Sequence, residues 1–414
     1  MELNQQGFAI AEEVALARPD VTIVMPCLNE VQSLPHCIGN ALEALARLRT
    51  ELGLSGEIVI ADNGSSDGSQ ALATELGARV VPVAERGYGA ALIGGCDAAL
   101  GQYILMGDCD GSYDFVEGIP MVAKLAEGHD VCMGSRFLGG IAPGAMPWKN
   151  RYIGNPALTG ILNVFFRSGI SDAHCGLRAL RKEAFTRMKL TGRGMEFASE
   201  MVIKAALLKL KVAEVAATLS PDLREREPHL RPWRDGWRHL RYLFMLSPTW
   251  VFGVPSLLAL LPATVIFAVA LTHYLGLVPG ISPFGVSWCV AAGFLATCGH
   301  LGLIMAIATH FYGVRNGYRL LRPTFRRYGK WLTLETMLVL GIGMIFAGAA
   351  GLVAVAFHWS AIDYRALENP LPLVLSSVIG AIGVQNVLGG FMLAIIAGND
   401  NQLAPSHEPR SEAN

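Results

Sequence analysis

The sequence predicts two bodies in series: an α/β domain on a doubly wound, mostly parallel sheet, then a four-helix transmembrane region. Three observations predict this. Charged residues are frequent up to about residue 245 and sparse from Trp250 onward in the 414-residue chain. In the first part, short runs rich in Val and Ile alternate with helical patterns. In the second, four stretches lack Asp, Glu, Lys and Arg for roughly the 20 residues a bilayer requires. The totals agree, with 52% hydrophobic residues, 16% charged residues and a mean hydropathy of +0.39. Soluble domains carry about a quarter charged residues.

The expected divisions are an N-terminal extension at 1–19, the α/β domain at 20–220 and a basic juxtamembrane segment at 221–248. Four transmembrane helices at 249–398 and a polar tail at 399–414 complete the chain. The start, "MELNQQGFAIAEEVALARPD", is acidic without a long apolar core, so no signal peptide is expected. Eight cysteines include no CxxC pair, which disfavours structural zinc and fits reduced, buried thiols. A net charge of -1 implies no nucleic-acid partner.

In order, "VTIVMP" (Val21–Pro26), "EIVIA" (Glu57–Ala61), "ARVVPV" (Ala78–Val83), "YILM" (Tyr103–Met106) and "DVCMGS" (Asp130–Ser135) read as strands. Helical stretches follow the first three. Strands apolar on both faces, alternating with helices, indicate a parallel sheet, and ligands of such sheets bind beyond the carboxyl ends of the strands. Polar residues gather there: Cys27–Glu30, the "DNGSSDGS" run Asp62–Ser69, Asp108–Asp110 and Gly134–Arg136.

The Gly-rich stretch "RGYGAALIGG" has Leu92 where a dinucleotide motif needs its third glycine, and it follows the third strand. No Walker motif is present. In "GDCDG", extended backbone turns Asp108 and Asp110 to one side and Cys109 into the core. Two neighbouring carboxylates repel, so a positive group is expected between them. A hard divalent cation, Mg²⁺ or Mn²⁺, with a substrate diphosphate fits; an acidic turn at a strand end is the other reading.

Four spanning segments are expected at Val251–Leu277, Val286–Ala308, Thr336–Phe357 and Leu373–Ala397; four buried helices of a soluble protein are the less economical reading. Their glycines ("GIGMIFAGAAG") suit close helix packing. The loop "YGVRNGYRLLRPTFRRYGKW" holds Arg315, Arg319, Arg322, Arg326, Arg327 and Lys330, while the other two loops hold only Arg365. The positive-inside rule makes the basic loop cytoplasmic, together with the α/β domain and the C-terminus. His300, Gln385 and Asn386 either line a path or bond between helices. Before the first span, Arg231, Arg234, Arg238 and Arg241 recur at helical spacing beside tryptophans, the pattern of an interfacial helix.

The ordered set "VMPCLNE", "IADNGSSDGS", "GYGAAL", "GDCDGSYDF", "GSR" and "DAHCGLRAL" resembles family 2 glycosyltransferases of GT-A fold, and within them the polyprenyl-phosphate glycosyltransferases. The resemblance covers about residues 20–245. It implies a nucleotide site at Pro26, Asn29, Glu30, Asp62, Gly64, Ser65, Asp67, Gly89 and Asp108. It implies a metal site, Mg²⁺ or Mn²⁺, at Asp108 and Asp110. Catalytic roles fall on Asp110, Arg136, Arg151 and Asp172, and acceptor-phosphate contacts on Arg136, Arg151, Arg224, Arg226 and His229. Asn63 stands where relatives often have a second acid, Ser112 where they often have Gln, and Pro228-His229 where they have Ser-Lys.

The resemblance further implies an inverting transfer of a hexose from a nucleotide sugar, of the UDP-glucose or GDP-mannose class, to polyprenyl phosphate at the cytoplasmic face of the cell membrane. The expected partners are that donor, that acceptor and the bilayer. A homo-oligomer is compatible, with the helices serving as anchor, oligomer interface or product route. The alternatives are another lipid or polysaccharide acceptor, or a transport protein with a non-catalytic nucleotide-sugar-binding domain. No "QxxRW" motif of polymer-extruding synthases occurs.

Overall fold

The computed structural model describes residues 18–224, 232–398 and Leu403. Arg226, His229, Arg231 and most of both termini lie outside the described residues. Contacts divide the chain into two units, the first ending at Leu243 and the second beginning at Phe244.

The first unit is an eight-stranded sheet with flanking helices. The strands are β1 (Val21–Cys27), β2 (Gly56–Asp62), β3 (Arg79–Pro82), β4 (Tyr103–Met106), β5 (Val131–Ser135), β6 (Gly140–Ile141), β7 (Arg178–Arg181) and β8 (Val212–Leu219). Their spatial order is β3-β2-β1-β4-β7-β5-β8-β6. All five expected strands are present. β1 and β4 are covered on both faces: Val21, Ile23, Val24, Met25, Ile104 and Leu105 expose nothing. Each such side chain contributes about 1.5–3 kcal/mol by leaving water. The helix Leu34–Leu52 buries Leu34, Cys37, Ile38, Ala41, Ala44 and Leu48, a stripe at three- and four-residue spacing. Gly53 ends it at φ +69, a left-handed conformation open to glycine.

One strand departs from the parallel pattern. β7 runs antiparallel to both β4 and β5, between them. Its sequence, "RALR", is four residues long and begins and ends in arginine, so it lacks an apolar run. Arg178 is nevertheless buried, because its guanidinium donates to the carbonyls of Ala173, Cys175 and Ala198. Arg181 donates to Leu125 and His129 carbonyls. Backbone acceptors replace the hydrophobic pattern here.

The second unit holds four helices long and apolar enough to cross a membrane: Thr249–Tyr274, Val286–Arg315, Leu334–Ala361 and Leu371–Ala397. At 1.5 Å per residue they exceed the ~30 Å hydrocarbon core. The third and fourth approach through glycine. A Cβ at Gly348 would stand 2.7 Å from the Gly380 nitrogen, and one at Gly341 2.8 Å from the Gly383 oxygen. Of the polar positions, His300 Nδ1 pairs with Gln385 Oε1 at 2.8 Å, and Gln385 Nε2 donates to the Thr297 carbonyl at 3.3 Å. These are bonds between helices.

Candidate active site

Strand register sets the rim. β1 and β2 end together, with Cys27 opposite Asp62. β4 stops earlier against β1, with Met106 opposite Val24. The Gly107 N–H still donates to the Val24 carbonyl at 3.2 Å, and the chain then leaves the sheet. Cys109 turns inward, 3% exposed, and its Sγ donates to the Pro26 carbonyl at 2.7 Å. Asp108 and Asp110 flank Cys109 in a turn that follows the strand, and Asp110 is itself buried.

Asp108 Oδ1 accepts from the Tyr88 hydroxyl at 2.8 Å. A Cβ at Gly176 would lie 2.6 Å from Asp108 Oδ2, so glycine there lets the backbone pass the carboxylate. Burial, and then the Asp110 charge, push Asp108 up to about 7. Asp110 Oδ1 accepts from the Ser112 hydroxyl at 2.6 Å and its N–H at 3.0 Å. Asp110 Oδ2 faces the Arg224 guanidinium at 2.7 Å. Arg224 is thus a cation already held against Asp110. It also reaches Asp222 at 3.0 Å and Glu30 at 3.3 Å. Burial works against its charge, but Asp110, Asp222 and Glu30 outweigh that and hold it more firmly protonated. Among the described residues no group of three or more His, Cys, Asp or Glu forms a metal cage.

The β1 and β2 loops lock each other. Asn29, at φ +58, donates its N–H to Ser65 Oγ at 2.9 Å and accepts from the Ser66 N–H at 2.8 Å. Asp67 accepts from the Val31 N–H, and Ser69 Oγ accepts from the Glu30 N–H. Asp62 is 2% exposed; its carboxylate accepts from Gly64 N–H, Ser65 N–H and Gln70 Nε2. Asn63 replaces the second acid with structure: its amide donates to the Val83 and Glu85 carbonyls and accepts from the Gly87 N–H. Gly89 packs against a neighbouring loop, where a Cβ would stand 2.1 Å from the Gly192 oxygen. That loop hangs on buried Glu200, which accepts from the Thr191 and Gly192 N–H groups and pairs with Lys204 at 2.7 Å.

Arg136 and Asp172 come together, but with each other. Arg136 Nε and Nη2 donate to the two Asp172 oxygens at 2.7 and 2.8 Å, and the Arg136 and His174 N–H groups add two more bonds. Asp172 exposes nothing and Arg136 7%. Burial opposes the Asp172 charge, yet Arg136 holds it below the usual carboxylate range. The two groups thus form a buried fork-to-fork ion pair through Arg136 Nε and Nη2. Arg151 is half-buried in the short π-helical stretch Asn150–Gly154, with its guanidinium 5.4 Å from the Tyr152 ring centre.

Tyr88, Gly176 and the group Ser199–His174–His239 escaped the sequence reading. Ser199 Oγ meets His239 Nδ1 at 2.8 Å and His174 Nε2 at 3.3 Å, joining the Pro232–Met245 helix to the sheet unit. Tyr88 and Gly176 lie inside the quoted motifs "GYGAAL" and "DAHCGLRAL" without an assigned role. Ser199 and His239 belong to no motif.

The chain thus combines an α/β sheet whose rim is acidic and braced by arginine with four helices long and apolar enough to cross a membrane. The chain belongs to glycosyltransferase family 2. Residues 22–188 match the model "Glycosyl transferase family 2", and residues 307–397 match "Glycosyltransferase family 2 C-terminal transmembrane region". The low-salt glycan biosynthesis hexosyltransferase Agl6 of Haloferax volcanii is 34% identical over 378 residues, 91% of this chain and 88% of that protein. A dolichyl-phosphate hexose transferase of the same organism is 30% identical, over 47% of this chain and 81% of its own. The polyprenol monophosphomannose synthase of Mycolicibacterium smegmatis is 28% identical, over 52% and 83%. The α/β unit accordingly has the GT-A fold.

Proposed function

We propose that this enzyme transfers a hexose from a nucleotide sugar to a polyprenyl phosphate, inverting the anomeric carbon, at the cytoplasmic face of a cell membrane. The observation that carries the reading is the pair Asp108 and Asp110 at the end of β4, with Arg224 already held against Asp110. Two of the relatives are named a dolichyl-phosphate hexose transferase and a polyprenol monophosphomannose synthase, which supports a lipid-phosphate acceptor. The donor is of the UDP-glucose or GDP-mannose class.

The donor set suits Mg²⁺ or Mn²⁺, which take hard carboxylate oxygens from one or two residues together with substrate phosphate oxygens. Asp108 and Asp110 would hold the ion, which when bound neutralises charge on the departing diphosphate. Arg224 stands 2.7 Å from Asp110 and can turn to the phosphates as they arrive. Asn29, Ser65 and Asp67 keep the rim loops in place for the nucleoside. A phosphate monoester is already anionic near pH 7, so the acceptor needs no general base. The protein's task is alignment and charge compensation, by Arg224 and Arg151 together with Arg226 and His229.

The test is a screen of radiolabelled nucleotide sugars against polyprenyl phosphate, with the full chain in membranes, with and without EDTA. Label should enter the lipid extract with one donor and vanish on chelation. Asp108→Ala and Asp110→Ala should each lower transfer by about 10²–10³-fold, the scale of losing a preorganised electrostatic group. Full transfer by both variants would refute the metal assignment, and no lipid label from any donor would refute the reaction.

A further inference from the structure

The end of the second spanning helix and the loop after it gather cations without counter-charge. Between residues 315 and 330 lie Arg315, Arg319, Arg322, Arg326, Arg327 and Lys330. Among the described residues none of them forms an ion pair. Most are exposed, but Arg319 is only 8% exposed. Its Nη2 donates to the Leu246 carbonyl, and its Nε is buried with no partner. Arg322, exposed beside it, donates its Nη2 to the Thr249 hydroxyl. The Arg322 N–H donates to His310 Nε2 at 3.4 Å. A ring nitrogen that accepts leaves the proton on the other, so His310 Nδ1 is a second buried donor without a partner. Phe325 stacks on that ring at 5.3 Å, closing the apolar side.

A buried cation and two buried N–H donors are costly unless an anion meets them. Burial and the neighbouring Arg322 charge lower Arg319 to about 10, the mark of a cation packed beside another cation. The guanidinium fork matches phosphate oxygens, and two guanidinium groups match a dianion. The position favours a lipid: the cluster adjoins the end of a spanning helix, and exposed Tyr328 and Trp331 flank it, as aromatic residues do at headgroup depth.

We propose that Arg319 and Arg322, with His310 behind them, form a phosphate-monoester site on the membrane unit that holds a lipid headgroup. The proposal does not rest on the transfer reaction above.

The test uses the full chain in phosphatidylcholine nanodiscs, with phosphatidic acid, polyprenyl phosphate or inorganic phosphate added as probes. Lipid retention is read by native mass spectrometry. Wild type should retain either phosphate-bearing lipid in preference to phosphatidylcholine, and inorganic phosphate at the same concentration should not displace it. Arg322→Gln should lower retention about tenfold, the scale of one charge-assisted bond, with UDP binding unchanged. Arg322→Lys should recover part of it. If Arg319→Gln fails to fold for want of its Leu246 bond, Arg319→Lys and the Arg322 variants still decide. Equal retention by wild type and Arg322→Gln, or no preference for phosphate-bearing lipid, overturns the proposal. Displacement by equimolar inorganic phosphate overturns the lipid assignment.

Discussion

Arg136 and Asp172 show that residues matching a motif can also brace each other. Both Asp172 oxygens and the Nε and Nη2 of Arg136 are engaged within the pair or by neighbouring N–H groups. Removing one partner strands a buried charge, which costs about 3–5 kcal/mol. Asp172→Ala should therefore lower unfolding stability by that amount in the detergent-solubilised chain. Asp110→Asn should change it by less than about 1 kcal/mol, because Arg224 keeps Glu30 and Asp222. Equal stability of wild type and Asp172→Ala would show that the pair is not structural. Asp172 is held below its unfolded value of about 3.9, so its contribution is present above pH ~3.9. It is lost as the pH falls through the folded value. The place of the acidic loop was legible because polar residues gather where an apolar strand ends. The Arg136–Asp172 pairing was not, since the partners are 36 positions apart and no local pattern joins them.

Among the elements, apolar runs betrayed β1 to β5, and uncharged length betrayed the four spanning helices. β7 stayed hidden because four residues flanked by arginines carry no period, and its arginines are satisfied by carbonyls contributed from elsewhere in the sequence. The juxtamembrane helix was legible as an amphipathic stretch, and Trp237 is indeed 62% exposed. Its His239 anchor was not, because a single histidine in a basic helix has no distinguishing spacing. The glycines of the third and fourth spanning helices suggested close packing, and the geometry shows how close: backbone atoms stand where a Cβ would be at Gly348. Gly348→Leu should force these helices apart and lower the thermal midpoint of the detergent-solubilised chain. Gly343→Leu should not, because nothing stands within 4 Å of a Cβ there. Equal midpoints for the two variants would mean the contact carries little energy.

For the whole molecule, the distribution of charge is the main guide. It separates a hydrophilic unit from a membrane unit and puts most loop cations at one end of the helices. The sidedness that follows is testable on intact cells. With Ser282→Cys, between the first and second spans, a membrane-impermeant thiol reagent should label the chain from outside. With Thr324→Cys, in the basic loop, it should do so only after lysis. The reverse pattern would invert the proposed topology and place the reaction on the opposite face. What composition could not convey is which loop cations are engaged. Arg319 is sunk beneath the surface while Arg326 and Arg327 remain exposed, a difference made by tertiary packing alone.

The Arg224 brace also bears on discrimination. A bare divalent ion approaching Asp110 must compete with a guanidinium that already satisfies three carboxylates, and it gives that guanidinium nothing in return. An ion that arrives chelated by a nucleotide diphosphate brings Arg224 a replacement anion. Under the proposed metal assignment, the site is a lock whose bolt is one of its own side chains, released by the complex of ion and nucleotide together. Mn²⁺ titrated alone should accordingly bind far more weakly than Mn²⁺ with UDP, and Arg224→Gln should narrow that gap. Equal affinity with and without UDP in the wild type would show that the brace imposes no such order.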